Sequence, residues 1–91
     1  MIPTPVWKSI FSNWPAGIQH RGVLVTSLNE AIPFKGFMIK DDMLLLDRTN
    51  PDPMGSRFIL IDFAAINCIK LLDPVKDSVF VAAGFVGKLA N

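Results

Sequence analysis

The chain has one histidine, His20, and one cysteine, Cys68. His20 stands beside Arg21 in a connecting segment, with no cysteine or second histidine at the spacing of a metal site. Cys68 alternates with Ile66 and Lys70, as a small apolar residue on a strand does. Asp41-Asp42 has the composition of an acid/base pair. Adjacent strand residues point to opposite sides, however, so the two carboxylates read as a turn. GFVG, residues 84–87, lacks the Lys-Ser/Thr of a phosphate-binding loop. No enzyme, cofactor or metal is expected from these residues.

Charge points the same way. Nine Lys/Arg against eight Asp/Glu give a net charge of +1, without the basic excess of a dedicated polyanion binder. Any nucleic-acid site must then be a local patch. Lys8, Arg21, Lys35, Lys40 and Arg57 are the cations that can contact phosphate; read plainly, they are dispersed solvated charges.

These side chains must be positioned by a small scaffold. Ninety-one residues fit one domain, yet 51% of them are hydrophobic. A domain this small cannot hide that much apolar surface in one core, so part of it is expected to meet another copy or a partner. The first residues, MIPTPVWKSIF, have neither the basic start nor the long apolar run of a secretory leader. Val79–Val86 is too short to span a bilayer. With a single cysteine and so no internal disulfide, a cytoplasmic location away from membranes is expected.

Thr4-Pro5 predicts a helix start, with Trp7, Ile10, Phe11 and Trp14 on one apolar face and Pro15 and Gly17 at its end. Five strands follow: GVLVTSL (22–28), Ile32–Lys40, Met43–Arg48, RFILIDF (57–63) and INCIKLL (66–72). Asn29-Glu30 is a turn, NPDPMGS (50–56) a loop, and Ala64-Ala65 a very tight connection. Residues 1–74 are expected to form the domain, and residues 75–91 an apolar tail or short helix that Ser78 could cap and that Gly84 and Gly87 weaken. The fold class is mainly β: a short helix, then a five-stranded, strongly bent barrel, with closure removing its edges. Gly36 would supply the bend in the second strand. On that strand Phe34, Gly36 and Met38 share one face, and Lys35, Phe37 and Ile39 the other, which is a candidate interface.

This order of one helix, five short strands and a tight last turn resembles the Sm/LSm family of small β-barrels, Hfq included, over about Val6 to Leu72. Gly36, Met38, Asp42 and Leu45 match its first motif. Leu24, Leu28, Ile32 and Phe34 fit its inward positions, as do Ile61, Ile66 and Ile69 downstream. The resemblance implies a homo-oligomeric ring in which the fourth strand of one copy pairs with the fifth of the next. Phe58, Leu60, Ile66, Cys68 and Phe37 are the candidate interface residues. It also implies binding of single-stranded RNA or DNA. The base-reading positions fall on Leu44 and Leu46, however, and the family's arginine-glycine pair falls on Asp62-Phe63. With Asp41 and Asp42, Asp62 would make an acidic rim that repels phosphate. Phe63 then remains to stack a base, beside Lys40, Asp42, Arg57, Lys35 and Arg21 as the other nucleic-acid candidates. The alternative is a structural or protein-interaction ring that captures a partner through its aromatic helix or its tail. An SH3-like or OB-type monomer is the architectural fallback.

Overall fold

Helix α1 (Pro5–Ser12) precedes strands β1 (Gly22–Thr26), β2 (Ala31–Lys40), β3 (Met43–Arg48), β4 (Phe58–Asp62) and β5 (Ile66–Lys70), and helix α2 (Asp77–Ala82) follows them. These are the elements of the computed structural model, which describes residues 5–90. The capping role expected of Thr4 lies outside the described residues.

The strands form one antiparallel sheet in the order β4-β3-β2-β1-β5. Each neighbour in that order except β5 follows its partner directly in sequence, so short turns suffice. Between β1 and β2, Asn29 adopts φ +65, a conformation asparagine tolerates. The Thr26 hydroxyl accepts hydrogen bonds from the Leu28 and Glu30 amides at 3.3 and 3.1 Å. Asp41, at φ +52, turns β2 into β3. The expected loop over 50–56 is organised by Asp52, whose Oδ1 accepts from the Met54 and Ser56 amides at 2.9 and 2.8 Å. The hydrogen-bonded ladder ends at β4 on one side and β5 on the other. The expected closure by strand pairing is therefore absent from the described sheet, and side chains fill the space between its halves.

That filling comes from α1 and from the 3-10 turn Phe63–Ala65 that joins β4 to β5. Phe11, Leu24, Ile32, Phe34, Leu44, Leu46, Phe63 and Ile66 make the buried cluster, with Trp7 and Trp14 packed against it. Phe11 meets Phe37 edge-on, their centroids 4.9 Å apart, and lies 6.0 Å from Phe63. Burying one such side chain contributes about 1.5–3 kcal/mol. The aromatic stripe of α1 thus serves its own core.

Strand β2 departs from a simple alternation. Phe34 pairs with Arg48 and Gly36 with the adjacent Asp47, so Lys35 is an extra residue. A bulge shifts the phase of every side chain beyond it. Ile32 and Phe34 face the core before the bulge, and Phe37 and Ile39 pack against the same core after it. The expected second face of Lys35, Phe37 and Ile39 therefore does not exist, and Phe37 is not a free interface residue. The register shift falls immediately before Gly36, the position expected to supply the bend. A Cβ at Gly36 would sit 3.8 Å from that of Asp47, an ordinary contact. Gly22 is the confined glycine: a Cβ there would lie 2.6 Å from the Lys70 carbonyl oxygen.

Strand β1 stops at Thr26, and Leu28, expected to point inward, is 90% exposed in the turn. In the tail, Lys76 rather than Ser78 occupies the N-cap of α2, without a side-chain hydrogen bond. Gly84 does not weaken the helix; it ends it. Its φ is +103, its amide donates to the Val81 carbonyl, and the Phe85 amide donates to that of Phe80. The Phe80 and Phe85 rings then meet edge-on at 6.0 Å, completing a Schellman-type stop. No helix among the described residues is long and apolar enough to cross a membrane.

Candidate functional site

The half of the sheet beyond the bulge carries most of the residues singled out in the sequence. Its register places Met38 beside Leu45 and Leu45 beside Leu60, in one row across β2, β3 and β4. On one side of that row lie Lys40, Met43 and Asp62; on the other lie Gly36, Asp47 and Phe58. Strand alternation puts these nine residues on one face, turned away from the core. Met38 is 69% exposed, Leu60 67% and Phe58 61%. The opposite face of the same strands carries Phe37, Ile39, Leu44, Leu46, Ile59 and Ile61, all in or against the core.

The ends of this half-sheet differ in charge. At the hairpin end, Asp41, Asp42 and Asp62 lie close together: Met43 pairs with Asp62, and the Phe63 amide donates to the Asp42 carbonyl at 3.4 Å. Lys8 lies 3.3 Å from the Asp42 carboxylate and offsets part of that charge. Asp62 has a structural task as well. Its Oδ1 accepts the Ala64 amide at 2.9 Å and caps the 3-10 turn, satisfying a donor that the turn leaves unpaired. At the other end the backbones of Lys35, Arg48 and Arg57 are neighbours, with Asp47 beside them, and Arg48 Nε donates to the Asn50 carbonyl at 2.9 Å. Arg48 pairs with Phe34, next to the bulged Lys35, and its amide donates to the Arg57 carbonyl at 2.9 Å. Among the described residues none of these three cations is ion-paired, whereas Lys8 and Arg21 are each held by an aspartate.

Arg21 is committed elsewhere. Its guanidinium forks onto the Asp73 carboxylate, with Nε donating to Oδ2 at 3.0 Å. That hydrogen bond, with the attraction between the two charges, holds the Asp73 carboxyl below its ordinary range. The pair ties the segment after β5, just ahead of the tail, to the segment before β1. His20 stacks on aromatic rings, 5.2 Å from Phe37 and 5.9 Å from Trp14. Among the described residues, no three His, Cys, Asp or Glu side chains gather as metal ligands would.

Several candidates therefore change place. Phe63 has no exposed surface and cannot stack a base, because the tight turn drives its ring into the core. Ile66 is buried in its own chain's core and is withdrawn from the interface set. Leu44 and Leu46, at the family's base-reading positions, are core residues too. Cys68 is half-buried on edge strand β5, while Phe58 and Leu60 stand open on edge strand β4. Lys40 and Asp42 lie at the hairpin end, away from Lys35 and Arg57. The residues expected at the site did not include Arg48, nor Met38 and Leu45, which entered only as matches to the family's first motif. Only the bulge, which sets the phase of β2, puts Met38 in line with Leu45 and Leu60.

Comparison with family models, with curated proteins and with solved structures finds no match to this chain.

Proposed function

We propose that the chain is the subunit of a homo-oligomeric, Sm-like ring that acts as a structural or protein-interaction platform. The observation that carries this reading is the sheet order, which leaves β4 and β5 as unpaired edges at opposite ends of one small domain. An exposed edge is a template for another strand, and pairing β4 of one copy with β5 of the next repeats head to tail. Such a contact closes into a ring at whatever size the rotation sets. The tail is the segment left to engage a protein partner, since the aromatic face of α1 is spent inside the domain.

Light scattering and native mass spectrometry test the assembly. A single 10.0 kDa species at all concentrations overturns it. Asn67→Pro is the matched variant. Thr26 pairs with Ile66 and Val25 with Cys68, so Asn67 is the extra residue of a bulge, where proline is tolerated. The variant is expected to fold and to lose the ring.

One observation favours a second activity for the same ring. Lys35, Arg48 and Arg57 are near one another along the backbone, with Asp47 at the same end, and none of the three forms an ion pair among the described residues. The three would hold the phosphates of single-stranded RNA or DNA without reading bases. The affinity of short oligonucleotides, followed by fluorescence polarisation, is then expected to fall steeply with salt. No binding, or binding indifferent to salt, overturns this reading.

A further inference from the structure

The outer face of β2, β3 and β4 is an exposed apolar surface inside a frame of charge, and its pattern is self-complementary. We infer that this face binds the same face of a second copy, two sheets stacked about a two-fold axis parallel to β3. The inference does not depend on the β4–β5 ring. It uses the face of the sheet, not its edges, and would join two chains or two rings alike.

The nine outer residues form a three-by-three grid. Sheets that pack face to face keep their strands within about 30° of each other, which leaves two aligned two-fold arrangements. If the axis runs across the strands, each strand lies over its own copy. Lys40 then faces Gly36 of the partner subunit and Asp62 faces Phe58 of the partner subunit, so no charge is matched. If the axis runs along β3, β2 lies over β4 of the second copy. Lys40 then faces the second copy's Asp62, and the reverse, giving two opposite-charge pairs. Met38 faces Leu60 and Leu45 faces Leu45, so the apolar row closes on itself. Gly36, where an added Cβ would meet only Asp47 among the described residues and at an ordinary contact distance, faces the large Phe58 ring. Within one chain Lys40 and Asp62 are separated by β3 and form no ion pair. The hydrogen bond from Ala64 uses Asp62 Oδ1 and leaves Oδ2 for a partner. The same geometry sets Asp47 opposite Asp47, a repulsion at the rim. Nine residues are fewer than the roughly 20–30 per side of a standard interface, so the contact is weak and depends on concentration.

The experiment is cross-linking of the full chain carrying Leu45→Cys and Cys68→Ala, with a short thiol-reactive bifunctional reagent, across a concentration series. Position 45 lies on the axis, so a covalent dimer is expected. Edge pairing of β4 with β5 brings no two copies of position 45 together, so the ring reading can fail while this one stands, and the reverse. Adding Lys40→Glu turns both opposite-charge pairs into like-charge pairs, and should weaken association about tenfold if each pair contributes the few-fold typical of exposed ion pairs. Adding Asp47→Asn removes the rim repulsion and should strengthen it severalfold. Circular dichroism confirms the fold of each variant, and sedimentation of Phe58→Ser, which needs no new cysteine, is expected to give the monomer or the bare ring. No covalent dimer from the Leu45→Cys chain, or a dimer indifferent to both charge changes, overturns the inference.

Discussion

Strands β2, β3 and β4 carry apolar residues on both faces, and the two faces have different fates. On the inner face Phe37, Ile39, Leu44, Leu46, Ile59 and Ile61 are covered by α1 and by the ring of Phe63. On the outer face Met38, Leu60 and Phe58 are just as apolar and stay exposed, with Leu45 half-buried between them, and no element among the described residues lies over them. Antiparallel sheets commonly keep one face solvated and then alternate apolar with polar residues. Here the outer face keeps its charges at the frame and leucine and methionine in the middle. Apolar character alone therefore does not identify the core. What identifies it is a covering element on the same side of the sheet.

The contrast can be broken deliberately. Leu44 is fully enclosed, so Leu44→Ala should cost about 2–5 kcal/mol in a denaturant titration, the range for a cavity in a packed core. Gly22→Ala places a methyl group against the Lys70 carbonyl. It should cost about 1–3 kcal/mol, seen in the same titration, because β1 and β5 must part. Asp62→Ala removes the cap of the 3-10 turn and should cost about 1 kcal/mol. A loss no larger than that of an ordinary surface change would deny the turn its part in holding Phe63. Phe58→Ser, on the outer face, should change stability by no more than about 0.5 kcal/mol, as surface substitutions do, while weakening self-association. A loss as large as that of Leu44→Ala would make the two faces equivalent.

The smallest expected effect is a pH dependence at the tail. Asp73 is held below its ordinary carboxyl range chiefly by its hydrogen bond with Arg21. A depressed folded-state value means that the stabilisation is complete above the unfolded carboxyl range. It is lost as pH falls through the lowered value. Because the pair is exposed, solvent screens it and the change should be local. Protection of the α2 amides, measured against their intrinsic exchange rates at each pH, should fall on acidification, and Asp73→Asn should remove that dependence. A loss of protection spread equally over β1–β3 would place the cause elsewhere.

Much of the fold was legible in the sequence. β3 runs over the expected Met43–Arg48, and the other strands differ by a few residues at their ends. The apolar face of α1, the loop at Asp52 and the tight β4–β5 connection follow from periodicity and turn chemistry. The candidate site was less legible. Phe63 reads as an exposed turn aromatic because the sequence does not say which way a 3-10 turn throws its side chains. Gly36 draws attention as the source of the bend. The register shift beside it comes from an extra residue, Lys35, whose only sign is a partner strand one position shorter. Arg48 looks isolated from Lys35 and Arg57 until the register aligns them.

By itself the sequence determined the element order, the shortness of the connections, the near-neutral charge and the surplus of apolar residues. These depend on local propensity and composition, which act over a few neighbouring residues. Only the tertiary structure decided which apolar residues are core and which are surface. A single bulge reverses the phase of everything beyond it, and only packing against α1 tells one face of a strand from the other. The same long-range pairing decided that β4 and β5 are the edges, since an edge is defined by the neighbour a strand lacks.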